Sequence, residues 1–356
     1  MNGSILVRWA LGLCLALCVV WFGVRVSTVA AAGGYHLLKK IPLGASPGGG
    51  EYFVYITVDG AARRVYLSHG TEFKVLDADT FAVAGTITGG FKRNHGAALV
   101  PELGKGFISD GELAEAVMFD MKTMKVLSHI PTQKDCDSIF YDPVSKHIFT
   151  FNGSSKNSTV IDPAKGAVIA TIPLGGAPEQ AVVDGKGMIY DNLEDTSEVV
   201  AIDPRTNTVK SRGPVAPAGQ PVAIAMDRQH RRLFISGRNP KLLVVMDADT
   251  GKIIGPSFPI GDRVDANIYE PETATVFAAT REGTIHIYHQ DSPDKLSVVE
   301  TVKTEFGAKT MGLDPKTHNL FVTTSDFGPA PPKTEKQPNP QPVATPGTFR
   351  VLIYGK

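Results

Sequence analysis

Cysteine is almost absent. Of three in 356 residues, Cys14 and Cys18 fall in an apolar N-terminal run and only Cys136 stands in the rest. No disulfide framework holds such a chain, so its core must. An excess of either charge is missing too: Lys+Arg and Asp+Glu number 36 each. Without a long-range field to gather polyanions, nucleic-acid binding has no electrostatic footprint. No helix-period segment of useful length occurs. The chain has no G-x-S-x-G elbow, C-x-x-C or C-x-x-C-H, and its nine histidines give no H-E-x-x-H, so serine-hydrolase, covalent-haem and zinc readings lose support. The histidines are too few in equivalent positions for a copper cluster. "GASPGGG" (residues 44–50) lacks the G-K-[ST] of a phosphate loop and reads as a flexible link.

What is present is turn chemistry and an export signal. Glycine (36), proline (25) and 20% charged residues suit a turn-rich globular protein. Arg8 precedes an apolar run from Trp9 to Val24, and Ala30-Ala31-Ala32 offers cleavage before Gly33. Residues 1–32 are thus expected to be a signal peptide and 33–356 the mature chain, periplasmic or secreted. An uncleaved signal tethering the chain to a membrane is the alternative, although Arg25 cuts the run short of the roughly 20 residues a span needs. Leu13 and Leu17 precede the early cysteines where a lipoprotein signal wants a small residue, which argues against lipidation.

The main signal is a repeat of about 42 residues, a period typical of four-stranded propeller blades. "FKVLDADT", "AVMFDMKT", "STVIDPAK", "VVAIDPRT" and "LVVMDADT" place Asp77, Asp120, Asp162, Asp203 and Asp247 in register. Asp at the first position of a tight turn bonds nearby backbone, so this series is read as structural. Upstream, "RRVYLSHG", "GKGFISDG", "KHIFTFNG", "KGMIYDNL", "RRLFISGR", "ATVFAATR" and "HNLFVTTS" give seven short strands, each after an apolar strand that mostly closes on an acidic turn residue. Period-2 alternation suits half-buried strands. The expected fold is therefore all-β, a single seven-bladed β-propeller. The last unit lacks a fourth strand, and "YHLLKKIPLG" (Tyr35 to Gly44) has no unit of its own; pairing it with the final strand around Thr348 to Tyr354 would close the ring. A Pro-rich insertion spans 328–347, read as an extended solvated loop, with a docking peptide as alternative.

These units resemble the YVTN or YncE-type β-propeller repeat proteins, whose blades carry "P-x-G…V-Y-V…V-x-V-I-D-x-x-T…V-x-x-I-x-x-G". The resemblance covers the whole mature chain and is specific for fold. Similar blades occur in lactone-hydrolysing and lactone-forming enzymes, in nitrous-oxide reductase and in quinoprotein dehydrogenase subunits, so the resemblance assigns no reaction.

Aligned blades single out one level of the innermost strand, occupied by Val54, His95, Asp137, Glu179, Val222, Asp265 and Lys309. Positions two and four residues on stay mostly apolar, as in Ile56/Val58 and Ile224/Met226. Equivalent residues where inner strands begin converge on the axis at one mouth of the channel, flanked by loop residues His69, Asp110, Asn152, Asn192, Glu194, Asp195 and Arg238. The bland alternative is that strand starts are simply wet. The expected ligand set is His69, His95, Asp137, Glu179, Asn192, Glu194, Arg238, Asp265 and Lys309, on an exposed rim where alanine changes stability by only about ±0.5 kcal/mol. The expected function is binding or scaffolding of a small molecule, glycan or envelope protein by a monomer without cofactor. Ca²⁺ at Asp137, Glu179 and Asp265 is a further option. A lactonase or cycloisomerase, with His95 or Glu179 as base and Lys309 or Arg238 holding a carboxylate, is the enzymatic alternative.

Overall fold

A computed structural model describes residues 34–48, 50–335 and 340–356. The expected signal segment and the middle of the Pro-rich insertion lie outside them. Seven antiparallel sheets of four strands each follow one another in chain order around a ring. Their inner strands are Ile56–Asp59, Asn94–Val100, Cys136–Asp142, Pro178–Val183, Pro221–Asp227, Val264–Glu270 and Met311–Leu313. We call these strand a of blades 1 to 7, with b, c and d following outward.

Blade 7 has the predicted closure. Its sheet runs, from outside inward, His36–Gly44, Phe349–Gly355, Leu320–Thr324 and Met311–Leu313, with register from His36↔Gly355 to Gly44↔Phe349. The blade therefore combines both ends of the chain, and no incomplete edge is left open at this point.

Burial explains why alternation is a poor guide to the middle strands. Each sheet is sandwiched between two neighbours, so strands b and c are buried on both faces, as in Arg232–Arg238 with five consecutive buried residues. Strand d, on the perimeter, is the most exposed, as in Val126–Pro131, where alternate residues are open to solvent. The core is correspondingly divided into seven apolar clusters, one between each pair of neighbouring blades. Between blades 7 and 1, Phe321, Val351 and Ile353 meet Val65, Leu67 and Leu76.

The aspartates after strand c are turn residues, as expected. Asp77 accepts the Thr80 N–H at 2.9 Å and hydroxyl at 3.0 Å, and Asp120 and Asp247 do the same with Thr123 and Thr250. The acids that close strand a have a second task. Buried Asp184 of blade 4 pairs with Arg231 of blade 5 at 2.8 Å, Glu270 of blade 6 with His318 of blade 7 at 2.7 Å, and Asp314 of blade 7 with Arg63 of blade 1 at 2.6 Å. Each of these cationic partners sits in the a–b turn with positive φ, a left-handed conformation that points its side chain back at the preceding blade.

Candidate functional site at the channel mouth

The ring level is set apart by backbone geometry. In five blades the pairing of strand a with strand b slips there, between Asn94 and Ala97, Cys136 and Ile139, Pro178 and Ala181, Pro221 and Ala223, and Val264 and Ala266. His95, Asp137, Glu179, Val222 and Asp265 all lie inside these irregularities. A bulge re-aims side chains that a regular ladder would press against the next sheet. Two residues ahead of the ring level, Asp135, Gln220, Arg263 and Gly307 have φ of 62°, 49°, 52° and 89°, which bends the chain into the strand.

The ring is a set of paired charges. Asp265 accepts hydrogen bonds from both Arg238 and Lys309, and the second arm of Arg238 reaches Glu194 at 3.3 Å. Asp137 is bonded by Nδ1 of His95, whose ring lies edge-on to Tyr52 at 5.1 Å. Arg93 lies over the Tyr52 ring at 4.6 Å and donates to its hydroxyl at 3.1 Å. Burial pushes the Asp137 carboxyl up, but His95, Lys309 and Arg93 together outweigh it and hold the group below the usual carboxylate range.

Glu179 differs. Its carboxyl makes no hydrogen bond or ion pair among the described residues. Burial and the charges of Asp137, Glu194 and Asp265, opposed by Arg238, raise its pKa well above the ordinary value. Tyr55 projects into the same field: burial, then Asp137, Glu179 and Asp265, push its hydroxyl well up, and that hydroxyl also has no partner among the described residues. Two side chains without partners, each with its protonated form favoured, thus adjoin a self-compensated set of charges.

The remaining predicted residues fall elsewhere. His69 is fully buried, stacked on Phe349 at 4.0 Å and bonded to Glu51 at 2.7 Å, so it belongs to the contact between blades 1 and 7 rather than to the mouth. Asn192 is fully buried as well, because the residue before Leu193 in strand b of blade 4 faces a neighbouring sheet rather than solvent. Asp110 caps the backbone of Lys92 at 2.8 Å, Asp195 that of Ala177 at 2.7 Å, and Asn152 bonds Asn157 at 2.8 Å, all turn-building contacts. Sequence reasoning missed Tyr52 and Arg93, two residues ahead of the ring level, and Tyr55, one residue after it, because it compared only the ring level and the alternate positions that follow it.

The rim is also less open than expected. The Asp265 side chain is only 11% exposed. Asp265→Ala would leave Arg238 and Lys309 facing each other without their shared anion, and is expected to cost about 1–2 kcal/mol rather than nothing. Equilibrium denaturation in urea would measure this, and a change within ±0.5 kcal/mol would refute it.

The pairs bear on the other expectations. Ca²⁺ needs several oxygen ligands, yet Asp137 and Asp265 are committed to cations of the chain, and among the described residues no group of three His, Cys, Asp or Glu has metal-holding geometry. For the enzymatic alternative, Nδ1 of His95 is held by Asp137 and its Nε2 is buried without a partner, while Arg238 and Lys309 are occupied by Asp265. The described ends of the Pro-rich insertion are pinned beside this face: Phe327 bridges Ala344, Gly328 donates to Val343 at 2.9 Å and Arg281 to Pro342 at 3.1 Å.

Fold and site together define a seven-bladed β-propeller with a polar channel mouth. No protein-family model matches the chain, and no curated protein matches it. Among solved structures it is similar to hydrazine synthase of Kuenenia stuttgartiensis, with TM-score 0.67 and 12% identity over 82% of this chain and 95% of that one. A likeness at that identity speaks for the fold alone.

Proposed function

We propose that this is an exported binding protein of the YVTN/YncE type whose channel mouth holds a small, uncharged, polyhydroxylated molecule such as a sugar. Seven aligned copies of the blade pattern and the apolar N-terminal run support the type and the export. The observation that carries the ligand class is Glu179: among the described residues it is the one ring carboxyl without a partner, burial and the neighbouring carboxylates favour its protonated form, and Tyr55 in the same field offers a second hydroxyl without a partner. The neighbouring charges already balance one another, so the site calls for hydrogen bonding and not for charge.

The sign of the pH dependence tests this. The protonated Glu179 carboxyl donates a hydrogen bond and the carboxylate cannot, so a neutral ligand is expected to bind more weakly as pH rises through the raised pKa. Glu179→Gln should retain binding and flatten that slope, and Tyr55→Phe should weaken binding about fivefold. Calorimetry with neutral monosaccharides and aldonolactones, and with putrescine and Ca²⁺ as cationic controls, decides it. Tightening of putrescine with rising pH, abolished in Glu179→Gln, would make this a cation site instead.

A further inference from the structure

The other end of the channel has a different chemistry. All inner strands run in the same sense, so the residues that finish them gather at the end opposite the ring, followed by Pro101, Pro143, Pro271 and Pro315 on the rim. Here the walls are Val58, Leu99, Tyr141, Ile268, Tyr269 and Leu313, all apolar or aromatic and all partly exposed, unlike the sealed clusters between blades. They line adjoining cavities of about 760, 530 and 460 Å³, within the size range of small-molecule sites; the first two share Val183 and Arg228, and the third, lined by Leu313, shares Val58 with the first and Tyr269 with the second.

Two polar side chains reach this space with unused hydrogen-bonding capacity, and both offer donors. Gln180 accepts the Ile224 N–H at 3.1 Å through Oε1, which leaves its Nε2 amide without a partner among the described residues. Arg228 donates from Nε to the Val183 carbonyl at 2.8 Å, and its two terminal nitrogens have no partner among the described residues. Of the carboxylates lining the first two cavities, Asp227 is taken up by His230 at 2.7 Å and by the Gln229 and His230 N–H groups, and Asp59, which lines the larger cavity only, accepts the Ala62 N–H at 2.9 Å. In the 530 Å³ cavity that Gln180 and Arg228 both line, the one carboxylate is the committed Asp227, so the free donors there call for an acceptor that carries negative charge.

We infer that the proline-rimmed end of the channel binds an amphipathic monocarboxylate, with its apolar body along Leu99, Tyr141 and Tyr269 and its carboxylate against Arg228 and Gln180. Gln180 follows Glu179 in its strand and borders Tyr55, so the two sites meet along the channel, but the charge anchor Arg228 lies beyond the far end of strand a of blade 5 and does not depend on what the ring binds.

The test is calorimetric titration of the protein with octanoate, octanol and octyltrimethylammonium at moderate ionic strength. Octanoate is expected to bind tightest, and the series from hexanoate to decanoate should tighten about fourfold per added CH₂. Arg228→Gln should weaken octanoate about fivefold, in keeping with a solvent-exposed ion pair, and leave octanol unchanged. Leu99→Trp fills the chamber and should abolish binding of all three, with Leu313→Trp replacing it if that variant does not fold. Glu179→Gln should leave octanoate binding as it is, which separates this site from the ring. The inference fails if octyltrimethylammonium binds as well as octanoate, if Arg228→Gln has no effect, or if the folded tryptophan variant still binds.

Discussion

Removing residues 34–44 is expected to abolish the stable monomeric fold. The segment supplies the outermost strand of blade 7 and anchors blade 6 as well: Tyr35 is buried, lies edge-on to Phe277 at 5.4 Å and donates to the His318 carbonyl at 3.0 Å. Ile41 and Leu43 pack on the cluster between blades 7 and 1. Burial of Tyr35 and partial burial of the two aliphatic side chains is worth roughly 5 kcal/mol as an upper figure, comparable to the net stability of many domains. Loss of the strand also strips the hydrogen-bonding partner from Phe349–Gly355, an edge that then recruits other chains. Sedimentation and thermal unfolding of the truncated chain check this, with the expected outcome being association or a strongly lowered Tm, reversed by a synthetic peptide of residues 34–44. A truncated monomer that unfolds at the wild-type temperature would refute the role given to this strand.

Arg63→Ala should be among the most damaging single substitutions outside the apolar core. Asp314 is fully buried, and its two oxygens take bonds of 2.6 and 2.7 Å from the Arg63 guanidinium across the junction where the ring closes. Alanine leaves that carboxylate with the Thr317 hydroxyl and the Lys316 N–H only. Stranding a buried charge in this way costs about 3 kcal/mol. The pH dependence carries a signature. Burial alone would raise the Asp314 pKa, but Arg63 and Thr317 bring it from 3.8 down to about 2. A carboxyl with a depressed native pKa contributes stability that is full above the unfolded value and is lost as pH falls through the native one. The gap between wild type and Arg63→Ala should therefore be widest above pH 4 and close as pH falls from 3.8 toward 2. Urea denaturation across that range would detect it, and adding Asp314→Ala to Arg63→Ala should recover part of the loss, because the stranded charge is gone. A gap that stays constant down to pH 2 would show that the ion pair is not its source.

The repeat made the architecture readable because its chemistry is local. An aspartate followed three residues later by threonine builds the same turn wherever it falls, so Asp77, Asp120 and Asp247 marked three blades without any knowledge of the rest. The orphaned "YHLLKKIPLG" was readable by subtraction. The mouth was legible only in part. Alignment found His95, Asp137, Glu179, Asp265 and Lys309, since they share one level, but their direction depends on slips in strand pairing that leave no residue signature. Which charges cancel was hidden as well: Arg238 meets Asp265 from the next blade, and the two are separated in sequence by a whole hairpin. His69 shows the opposite error. At the end of its strand it reads as a loop residue facing solvent, yet Phe349, from the far end of the chain, covers its ring. Alignment showed the positions of Val58, Leu99 and Leu313 as apolar, but apolar composition does not tell a chamber wall from a packed core.

The pairing of His36 with Gly355 brings the first and last described strands side by side on the perimeter of the disc. A handle fused beside either strand end therefore leaves from the same place on the perimeter, in register with the proline-rimmed end of the inner strand, since Leu313 pairs with Leu320, Leu320 with Tyr354 and Gly355 with His36. A sensor chip or fluorophore attached through that handle would sit on the perimeter at the level opposite the ring, so the charged mouth can be titrated on an immobilised preparation.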